Sequence, residues 1–506
     1  MSASMCKENK MDQELAYHLS LLKLDNSNDE SEKASLAPVF PGSVLTQPKL
    51  APSQYGLLGG IKKIETSRDT GTESELIKHD PRLFFNVSSP SSTFICGSQG
   101  SGKSHTLSCI LEGCLISSAA GRLLNPLTAV VFHYDTFICD DGGSPCEAAF
   151  LASHSNIKVR VLCAPTNIRT IRQTYSEFNI SIEPLQIDQA NLNTKRMLDL
   201  MAVGQGQGTV PLYMHTVQRI LREMRILQQN TGSQFDYWNF KERILDSGLL
   251  PGQLDPLKQR LDTLESFMPP QQAPATKKAN KKKANFRGAG SNWTPKASQL
   301  TIVDLSCPCI SSDTACSLFN ICFGIFMEQD TKVGRIVALD EAHKVCSPHY
   351  MKDSIEARGF TDTLLSTVRL QRHLGARILI STQEPTISSD LLSLCSVTIV
   401  HRFSSPAWVR ALQAHVAAAA LGVQLDREAS AYDDGHSENP RVSKKFALFH
   451  QIVHLRVGEA LLFSPSAISG RASEGSQALC TLGSGYMVIK VRDRLTKDGG
   501  KSVLAH

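Results

Sequence analysis

The sequence predicts an α/β protein built on a central, mostly parallel sheet with a helical insertion. Apolar, β-branched segments alternate with helical patterns on both sides of a long polar stretch. One of these segments leads into a glycine-rich turn and then a helix, in ICGSQGSGKSHTL over residues 95–107. Strand–helix–strand spacing of this kind is typical of parallel sheets covered by helices.

The composition indicates a folded protein of a reducing compartment. Of the 506 residues, 41% are hydrophobic and 20% are charged, which is ordinary for a globular chain. No apolar run approaches the roughly 18 residues of a membrane span. Fourteen cysteines without regular spacing, in a chain lacking a secretion signal, predict reduced thiols and a cytoplasmic or nuclear location. The net charge of +5 permits an acidic partner without demanding one.

Ordered structure is predicted to begin near Arg82. Residues 1–80 are mixed and polar, and we expect a flexible N-terminal region there. Residues 81–190 predict the first half of the main domain. Its strands are RLFFNVS, STFIC, TAVVFHYD and KVRVLCAP, and its first helix runs from Ser104 to Leu115.

The middle of the chain differs from both flanks. Residues 191–270 carry apolar side chains at helical spacing, as in TVQRILREMRIL, and predict a helical insertion. Residues 271–297 lose all periodicity and hold a lysine cluster, which predicts a basic disordered loop. This loop has three interpretations: a phosphate clamp for nucleic acid, a nuclear localisation signal or a solvated linker. The aromatic run FDYWNF indicates helix-anchoring core more than base stacking.

Sheet-like sequence returns over residues 298–470, the predicted second half of the domain. Its strands are QLTIVDLS, GRIVALDEAH, ARILISTQEP and SVTIVHRF. Residues 447–465 alternate and predict a hairpin at the sheet edge. Residues 471–506 are expected to close the domain.

The glycine-rich turn matches the phosphate-loop pattern G-x-x-x-x-G-K-[ST] in full. Glycines let successive backbone amides turn toward phosphate oxygens, and the helix that follows directs its positive end at the same anion. Lys103 would contact the β- and γ-phosphates, and the Ser104 hydroxyl would bind Mg²⁺. The predicted nucleotide-binding residues are Gly97, Ser98, Gln99, Gly100, Ser101, Gly102, Lys103, Ser104 and His105.

A phosphate loop needs a second acid to hold the metal. Three predicted strands end in aspartate, at Asp135, Asp304 and Asp340, and only Asp340 is followed by glutamate. Asp340 would hold Mg²⁺ through water, and Glu341 would polarise the attacking water. Asp135 and Asp304 are more typical of strand-end turns. Gln383 ends the ISTQ strand, where it either positions the water or simply closes the strand.

At these residues the chain resembles the HerA/FtsK superfamily of P-loop ATPases, the HerA branch most closely. The similar features are DLS, a helix, hhhhDEAH, VRLQRHLGARILISTQEP, a strand ending in His-Arg and RVGEALL. The resemblance implies a RecA-like (ASCE) P-loop NTPase fold, ATP and Mg²⁺ as cofactors, a ring that is usually hexameric, and DNA or sometimes protein as cargo. It assigns catalysis to Glu341 and Gln383. It also implies that Arg369 or Arg372 completes a nucleotide site, in its own subunit or a neighbour's, whereas the alternative is a solvated helix face.

Three alternatives accompany that interpretation. The DEAH tetrapeptide also suits an RNA helicase, but that class needs a Ser-Ala-Thr strand where this chain has ISTQ. A regulatory or assembly ATPase acting on a protein partner fits the long insertion, because residues 1–80 are too poor in strands for the β-barrel that HerA proteins carry. A third, an inactive scaffold, is disfavoured because every catalytic position is filled. No guanine-recognition motif stands out, which favours ATP over GTP.

Overall fold

The computed structural model describes most of the chain. It covers residues 29–65, 79–201, 212–272, 290–329, 332–346, 355–416, 448–471 and 478–499, with positions 17, 18, 21 and 419. Most of the predicted lysine loop, residues 273–289, lies outside the described residues.

Sixteen strands and twelve helices are defined within these ranges. The strands are β1 Val39–Pro41, β2 Tyr55–Glu65, β3 Arg82–Asn86, β4 Ser92–Cys96, β5 Gly121–Arg122, β6 Thr128–His133, β7 Lys158–Cys163, β8 Ser181–Pro184, β9 Gln299–Asp304, β10 Arg335–Leu339, β11 Ala376–Thr382, β12 Val397–Val400, β13 Glu459–Phe463, β14 Ile468–Arg471, β15 Leu479–Thr481 and β16 Tyr486–Val491. The helices are α1 Asp29–Leu36, α2 Lys103–Leu115, α3 Ile168–Thr174, α4 Thr194–Met201, α5 Leu212–Thr231, α6 Tyr237–Leu245, α7 Pro251–Ser266, α8 Ser312–Met327, α9 His343–Cys346, α10 Ile355–Leu374, α11 Ser389–Leu394 and α12 Pro406–His415.

Eight adjacent strands of the main sheet are parallel, as predicted. Their order is β12-β4-β11-β10-β6-β9-β7-β8. These strands are almost wholly apolar because helices cover both faces. β11 lies between β4, which leads into the glycine loop, and β10, which leads into Asp340 and Glu341. In RecA-like (ASCE) folds one strand lies between the strand before the phosphate loop and the strand before the acidic pair. This sheet has that order, so the predicted fold class is confirmed.

The antiparallel side of the sheet contains two corrections. Strands β13, β16, β2, β3 and β1 continue the sheet beyond β12. Residues 29–65 therefore form helix and strands, whereas the sequence predicted a flexible region over 1–80. Residues 448–453 are helical and β13 lies inside the sheet, so the edge hairpin predicted over 447–465 is wrong. In both places the backbone pairs with strands distant in sequence, and local patterns do not reveal that pairing.

The sheet separates two large apolar clusters. In β4, Phe94 and Cys96 belong to one cluster and Ile95 to the other, as the alternation of a strand requires. Helices α4 to α7, over the predicted insertion, pack into the cluster on the Phe94 side. Tyr237 and Phe235 are buried there, which supports a core role for the FDYWNF run.

The C-terminal segment is tied to α2 by a buried carboxylate. Glu112 accepts hydrogen bonds from the amides of Leu495 and Thr496 and from the guanidinium of Arg492, at 2.8–3.0 Å. Arg494 adds an ion pair to the same carboxylate. This segment is thereby fixed beside the helix that follows the glycine loop. Within the described part of the chain, no helix combines the length and apolarity that a membrane crossing needs.

Candidate nucleotide-binding site

The glycine loop leaves β4 at Cys96 and enters α2 at Lys103. Gly97, Gly100 and Gly102 have φ angles of 154°, 70° and 111°, which side-chain-bearing residues rarely adopt. A Cβ atom at Gly97 would lie 2.7 Å from the Cβ of His401. The loop is therefore a tight backbone cradle that these glycines make possible, and it opens directly onto a helix N-terminus.

The two residues that follow β12, His401 and Arg402, form hydrogen bonds with the glycine loop. The amide and hydroxyl of Ser98 both donate to the carbonyl of Arg402, each at 2.9 Å. The amide of His401 donates to the carbonyl of Cys96 at 2.8 Å. Ser101 Oγ closes the turn on the carbonyl of Ser98 at 2.7 Å. The shape of the cradle thus depends on a strand that lies 300 residues further along the chain.

His401 is fully buried under the loop. Its Nδ1 donates to the carbonyl of Glu459 at 2.9 Å, and its Nε2 lies 2.8 Å from the hydroxyl of Thr106 in α2. Burial lowers the pKa of His401 to about 3, and the positive charge of Lys103 acts in the same direction. The ring is therefore neutral, and with Nδ1 protonated its Nε2 accepts from Thr106.

Lys103 is buried beside the acids that the sequence singled out. Its ammonium donates to the carbonyl of Ser98 at 3.0 Å. Burial lowers the pKa of Lys103, whereas the nearby charges of Glu341 and Asp340 oppose that shift. The lysine and the two acids therefore lie within electrostatic reach of each other, at the carboxyl ends of β4 and β10.

Glu341 has an unusual backbone. Its φ angle is 54°, in the left-handed region that non-glycine residues seldom occupy. The amide of the next residue, Ala342, donates to the carbonyl of Ser381 at 2.8 Å and anchors this turn to β11. Strained backbone held by neighbouring structure is a feature of functional sites.

The side chain of Glu341 is paired with Gln383. Nε2 of Gln383 donates to Oε2 of Glu341 at 3.1 Å, so the predicted base and the predicted sensor are in contact. His343 lies on the other side, with its Nδ1 3.4 Å from the same oxygen. Burial lowers the pKa of His343, although the charge of Glu341 opposes the shift.

Asp340 is buried among polar groups that do not fully satisfy it. Burial raises its pKa, and Glu341 adds to that effect, whereas His133, Lys344 and Lys103 oppose it. Its Oδ1 has no hydrogen-bond partner among the described residues. A buried carboxylate oxygen of this kind is suited to a bound cation or its water. Together with Ser104, which follows Lys103 at the start of α2, this donor set fits Mg²⁺.

The two other strand-end aspartates serve as turn residues. Asp135 accepts from the amides of Phe137 and Ser144 at 3.0 and 3.2 Å. Burial alone would raise the pKa of Asp135, but these amides and Lys344 together hold it below its usual value. Asp304 accepts from the hydroxyl of Tyr175 at 2.6 Å. Both carboxylates are thus engaged within the protein.

Some predicted site residues lie elsewhere. His105 directs its ring at the C-terminal segment, where Nε2 donates to the carbonyl of Arg492 at 2.8 Å. Arg369 and Arg372 are exposed near the end of α10, which precedes β11. The glycine loop lies at the opposite end of this parallel sheet, and seven residues of strand separate the two edges by roughly 23 Å. Arg369 and Arg372 therefore do not reach the site of their own chain, and their action on a neighbouring copy stays a prediction.

Three residues were missed by the sequence-based prediction of the site, whereas Arg402 was a weaker candidate for the arginine that completes a nucleotide site. His401 was visible only as the end of a strand. His343 follows Glu341 by two residues, and its place in DEAH was a usable signal. His133 ends β6 next to Asp340, but a lone histidine at a strand end carries little information.

The strand order and the glycine loop together define a RecA-like P-loop NTPase fold. No family model and no curated protein matches the sequence. Among solved structures, VirB4 of Thermoanaerobacter pseudethanolicus is similar at 10% identity over 87% of this chain and 96% of that chain, with a TM-score of 0.39. The plasmid coupling protein TrwB, in complex with the ATP analogue ADPNP, is similar at 11% identity over 81% of this chain and 87% of that chain, with a TM-score of 0.38.

A third similar structure is the genome packaging NTPase B204 from Sulfolobus turreted icosahedral virus 2, in complex with sulfate. It is 12% identical over 33% of this chain and 62% of that chain, with a TM-score of 0.22. All three are P-loop ATPases of the FtsK/HerA superfamily, the superfamily that the motifs of this chain resemble. The likeness is one of fold.

Proposed function

We propose that this protein binds and hydrolyses ATP in a Mg²⁺-dependent reaction and acts as a HerA/FtsK-like motor on DNA. One observation supports ATP binding and hydrolysis. A lysine, a glutamate and a glutamine lie close together beside the glycine loop, and each follows one of three adjacent strands. Lys103, Glu341 and Gln383 follow β4, β10 and β11, and Gln383 bonds Glu341 at 3.1 Å.

The cradle binds the triphosphate through charge and backbone dipoles. Backbone amides of the loop, the N-terminus of α2 and the ammonium of Lys103 all favour an anion. Ser104 and Asp340 would hold Mg²⁺, which when bound would neutralise charge that develops on the transferred phosphoryl group. His401 and Arg402 keep the loop in shape without contacting the nucleotide.

Glu341 acts as the general base. Its carboxylate accepts a proton from the attacking water, and the amide of Gln383 orients that carboxylate and the water together. His343 lies 3.4 Å from Glu341 and stays neutral in its buried setting, so it does not neutralise the base. The left-handed turn at Glu341 fixes the direction of this side chain.

The test uses two variants at the site and one outside it. Lys103→Ala should abolish ATP binding in calorimetry. Glu341→Gln should keep binding and lower turnover by about 10²-fold or more, because a positioned base contributes that factor. Cys114→Ser, buried in α2, is the matched control and should leave both quantities unchanged. Full turnover in Glu341→Gln would refute the assigned base.

The DNA part of the proposal is supported by the charge on α5. Arg219, Arg222 and Arg225 are all exposed and follow each other at helical spacing. Guanidinium groups along one helix suit a phosphate backbone, and each neutralised phosphate would add to the salt dependence of binding. The ATPase rate should rise with duplex or single-stranded DNA, and replacing all three arginines by glutamine should remove that rise. An ATPase that responds to no nucleic acid would refute the DNA motor.

The second candidate is a nucleotide-dependent regulator of a protein partner, without translocation. The observation in its favour is that α4 to α7 pack into the same core as the sheet, so the insertion is a rigid part of the ATPase domain. Light scattering after size exclusion, with ATP present, separates the two. A ring supports the motor, and a monomer supports the regulator.

A further inference from the structure

We propose that His133, Cys146 and Asp340 form a binding site for a zinc-class transition metal, and that metal bound there blocks nucleotide hydrolysis. The site differs from the proposed Mg²⁺ site, and Asp340 is the residue that belongs to both. Its existence does not depend on the proposed ATPase function, whereas the inhibition does.

The three side chains come from three separate segments: His133 ends β6, Cys146 lies in the connection between β6 and β7, and Asp340 follows β10. One ligand atom from each lies within 4.8 Å of the other two. Sγ of Cys146 is 3.8 Å from Oδ2 of Asp340, and Nδ1 of His133 is 3.9 Å from the same oxygen. Tetrahedral zinc, with bonds of about 2.0–2.3 Å, holds its ligand atoms roughly 3.3–3.8 Å apart. Small side-chain rotations are enough to bring the three ligand atoms to these separations.

The framework around these ligands is rigid. His133 ends β6 and Asp340 follows β10, and the amide of Asp340 donates to the carbonyl of Phe132 at 3.2 Å. The amide of Cys146 donates to the hydroxyl of Tyr175 at 2.9 Å, and that hydroxyl donates to Asp304. Asp304 and Tyr175 therefore act as an outer shell that fixes Cys146, as metal sites require.

His133 is the observation that points to a ligand. It is 5% exposed, and neither ring nitrogen has a hydrogen-bond partner within the described part of the chain. A buried imidazole without a partner is costly, since buried polar groups are nearly always paired. Its contact with Asp340, at 3.9 Å, is too long for a hydrogen bond. A metal ion would satisfy the ring nitrogen that faces Asp340.

The donor set selects the class of metal. One imidazole, one thiolate and one carboxylate suit zinc and similar borderline ions, and three protein ligands leave a fourth position for water. Mg²⁺ prefers oxygen ligands and keeps several waters, so it has no preference for sulfur or imidazole. As the metal binds, the Cys146 thiol loses its proton to solvent and forms the sulfur–metal bond.

The shared aspartate couples this site to the nucleotide. Asp340 is the acid proposed to hold Mg²⁺ beside Ser104. A zinc-class ion bound through Oδ2 would pull the carboxylate toward Cys146 and place a second dication in the same pocket. Micromolar zinc is therefore expected to inhibit turnover at saturating Mg²⁺ and ATP.

Cobalt(II) titration of the full-length, reduced protein tests the site directly, because a thiolate ligand gives a sulfur-to-cobalt charge-transfer band in the near ultraviolet. The wild type should show this band at one equivalent of Co²⁺. Cys146→Ser should lose it, and Cys114→Ser, an equally buried cysteine outside the cluster, should keep it. His133→Asn should weaken Co²⁺ binding by at least about tenfold. Circular dichroism of each variant reports folding, and His133→Asn decides the matter if Cys146→Ser is unfolded.

Absence of the band in the wild type, or an unchanged band in Cys146→Ser, would overturn the metal site. The inhibition is tested separately by adding Zn²⁺ to the ATPase assay, where Cys146→Ser should need at least tenfold more zinc than Cys114→Ser. Equal zinc sensitivity of the two variants would overturn the coupling. A protein with the cobalt band but no ATP turnover would contradict the proposed function and leave the metal site standing.

Discussion

His401 should make the stability of the protein fall steeply in mild acid. The ring is fully buried, donates to the carbonyl of Glu459 and lies 2.8 Å from the hydroxyl of Thr106. Its pKa is lowered to about 3 in the folded state, whereas an unfolded histidine titrates near 6.5. Because the folded form binds its proton more weakly, stability present above pH 6.5 is lost as the pH falls toward 3.

The magnitude follows from the two pKa values. At pH 5 the unfolded histidine is almost fully protonated and the folded one is not. The difference of about 1.5 pH units from 6.5 costs about 2 kcal/mol, at 1.36 kcal/mol per unit. At pH 7 the titration of His401 costs only about 0.2 kcal/mol of stability. The histidine alone should therefore remove about 2 kcal/mol of stability between pH 7 and pH 5.

His401→Asn isolates this contribution, since asparagine keeps a donor near Nδ1 but does not titrate. At pH 7 the variant should be less stable by about 1–3 kcal/mol, because the contact between Nε2 and the Thr106 hydroxyl is lost and a small cavity forms. At pH 5 this gap should narrow by about 2 kcal/mol. Urea unfolding followed by tryptophan fluorescence at both pH values, with m-values compared, measures it.

This prediction would be refuted if the stability difference between the wild type and His401→Asn were the same at pH 7 and pH 5. His401 would then take up its proton equally in the folded and the unfolded protein. Thr106→Val provides a second check. It removes the contact with Nε2 and leaves the histidine, so its stability should keep the wild-type pH dependence.

Three further predictions follow from the same contacts. Gly97→Ala should lower ATP affinity at least about tenfold in calorimetry, since its Cβ would lie 2.7 Å from that of His401. Gly100→Ala has open space around its Cβ and carries only the strain of its left-handed φ angle of 70°, so it should lower the affinity less. Equal losses of affinity in the two variants would contradict the cradle geometry. Glu112→Ala should destabilise the fold by about 3–5 kcal/mol in urea titrations, because it removes the carboxylate that pairs with Arg492 and leaves the amides of Leu495 and Thr496 without their acceptor. A loss below about 1 kcal/mol would contradict this. Arg372→Ala should leave the ATP affinity of the monomer within about twofold, and lost turnover confined to oligomeric fractions would indicate action on a neighbouring copy.

The location of the candidate site residues could be predicted from the sequence because the motifs that carry them are local. The spacing of Gly97, Lys103 and Ser104 defines a phosphate cradle wherever a strand precedes it and a helix follows. Asp340 and Glu341 were singled out by a buried strand that ends in two acids. The parallel half of the sheet followed from the alternation of apolar strands and helices.

The tertiary structure decided which distant segments meet. It placed β2 inside the sheet, although its glycines and lysines resemble a loop, because β16 and β3 supply its hydrogen bonds. It brought His401 under the glycine loop and His133 beside Cys146, and it put Arg372 at the far edge. Strand order and register depend on pairing energies summed across the whole sheet, and no local stretch of sequence contains that sum.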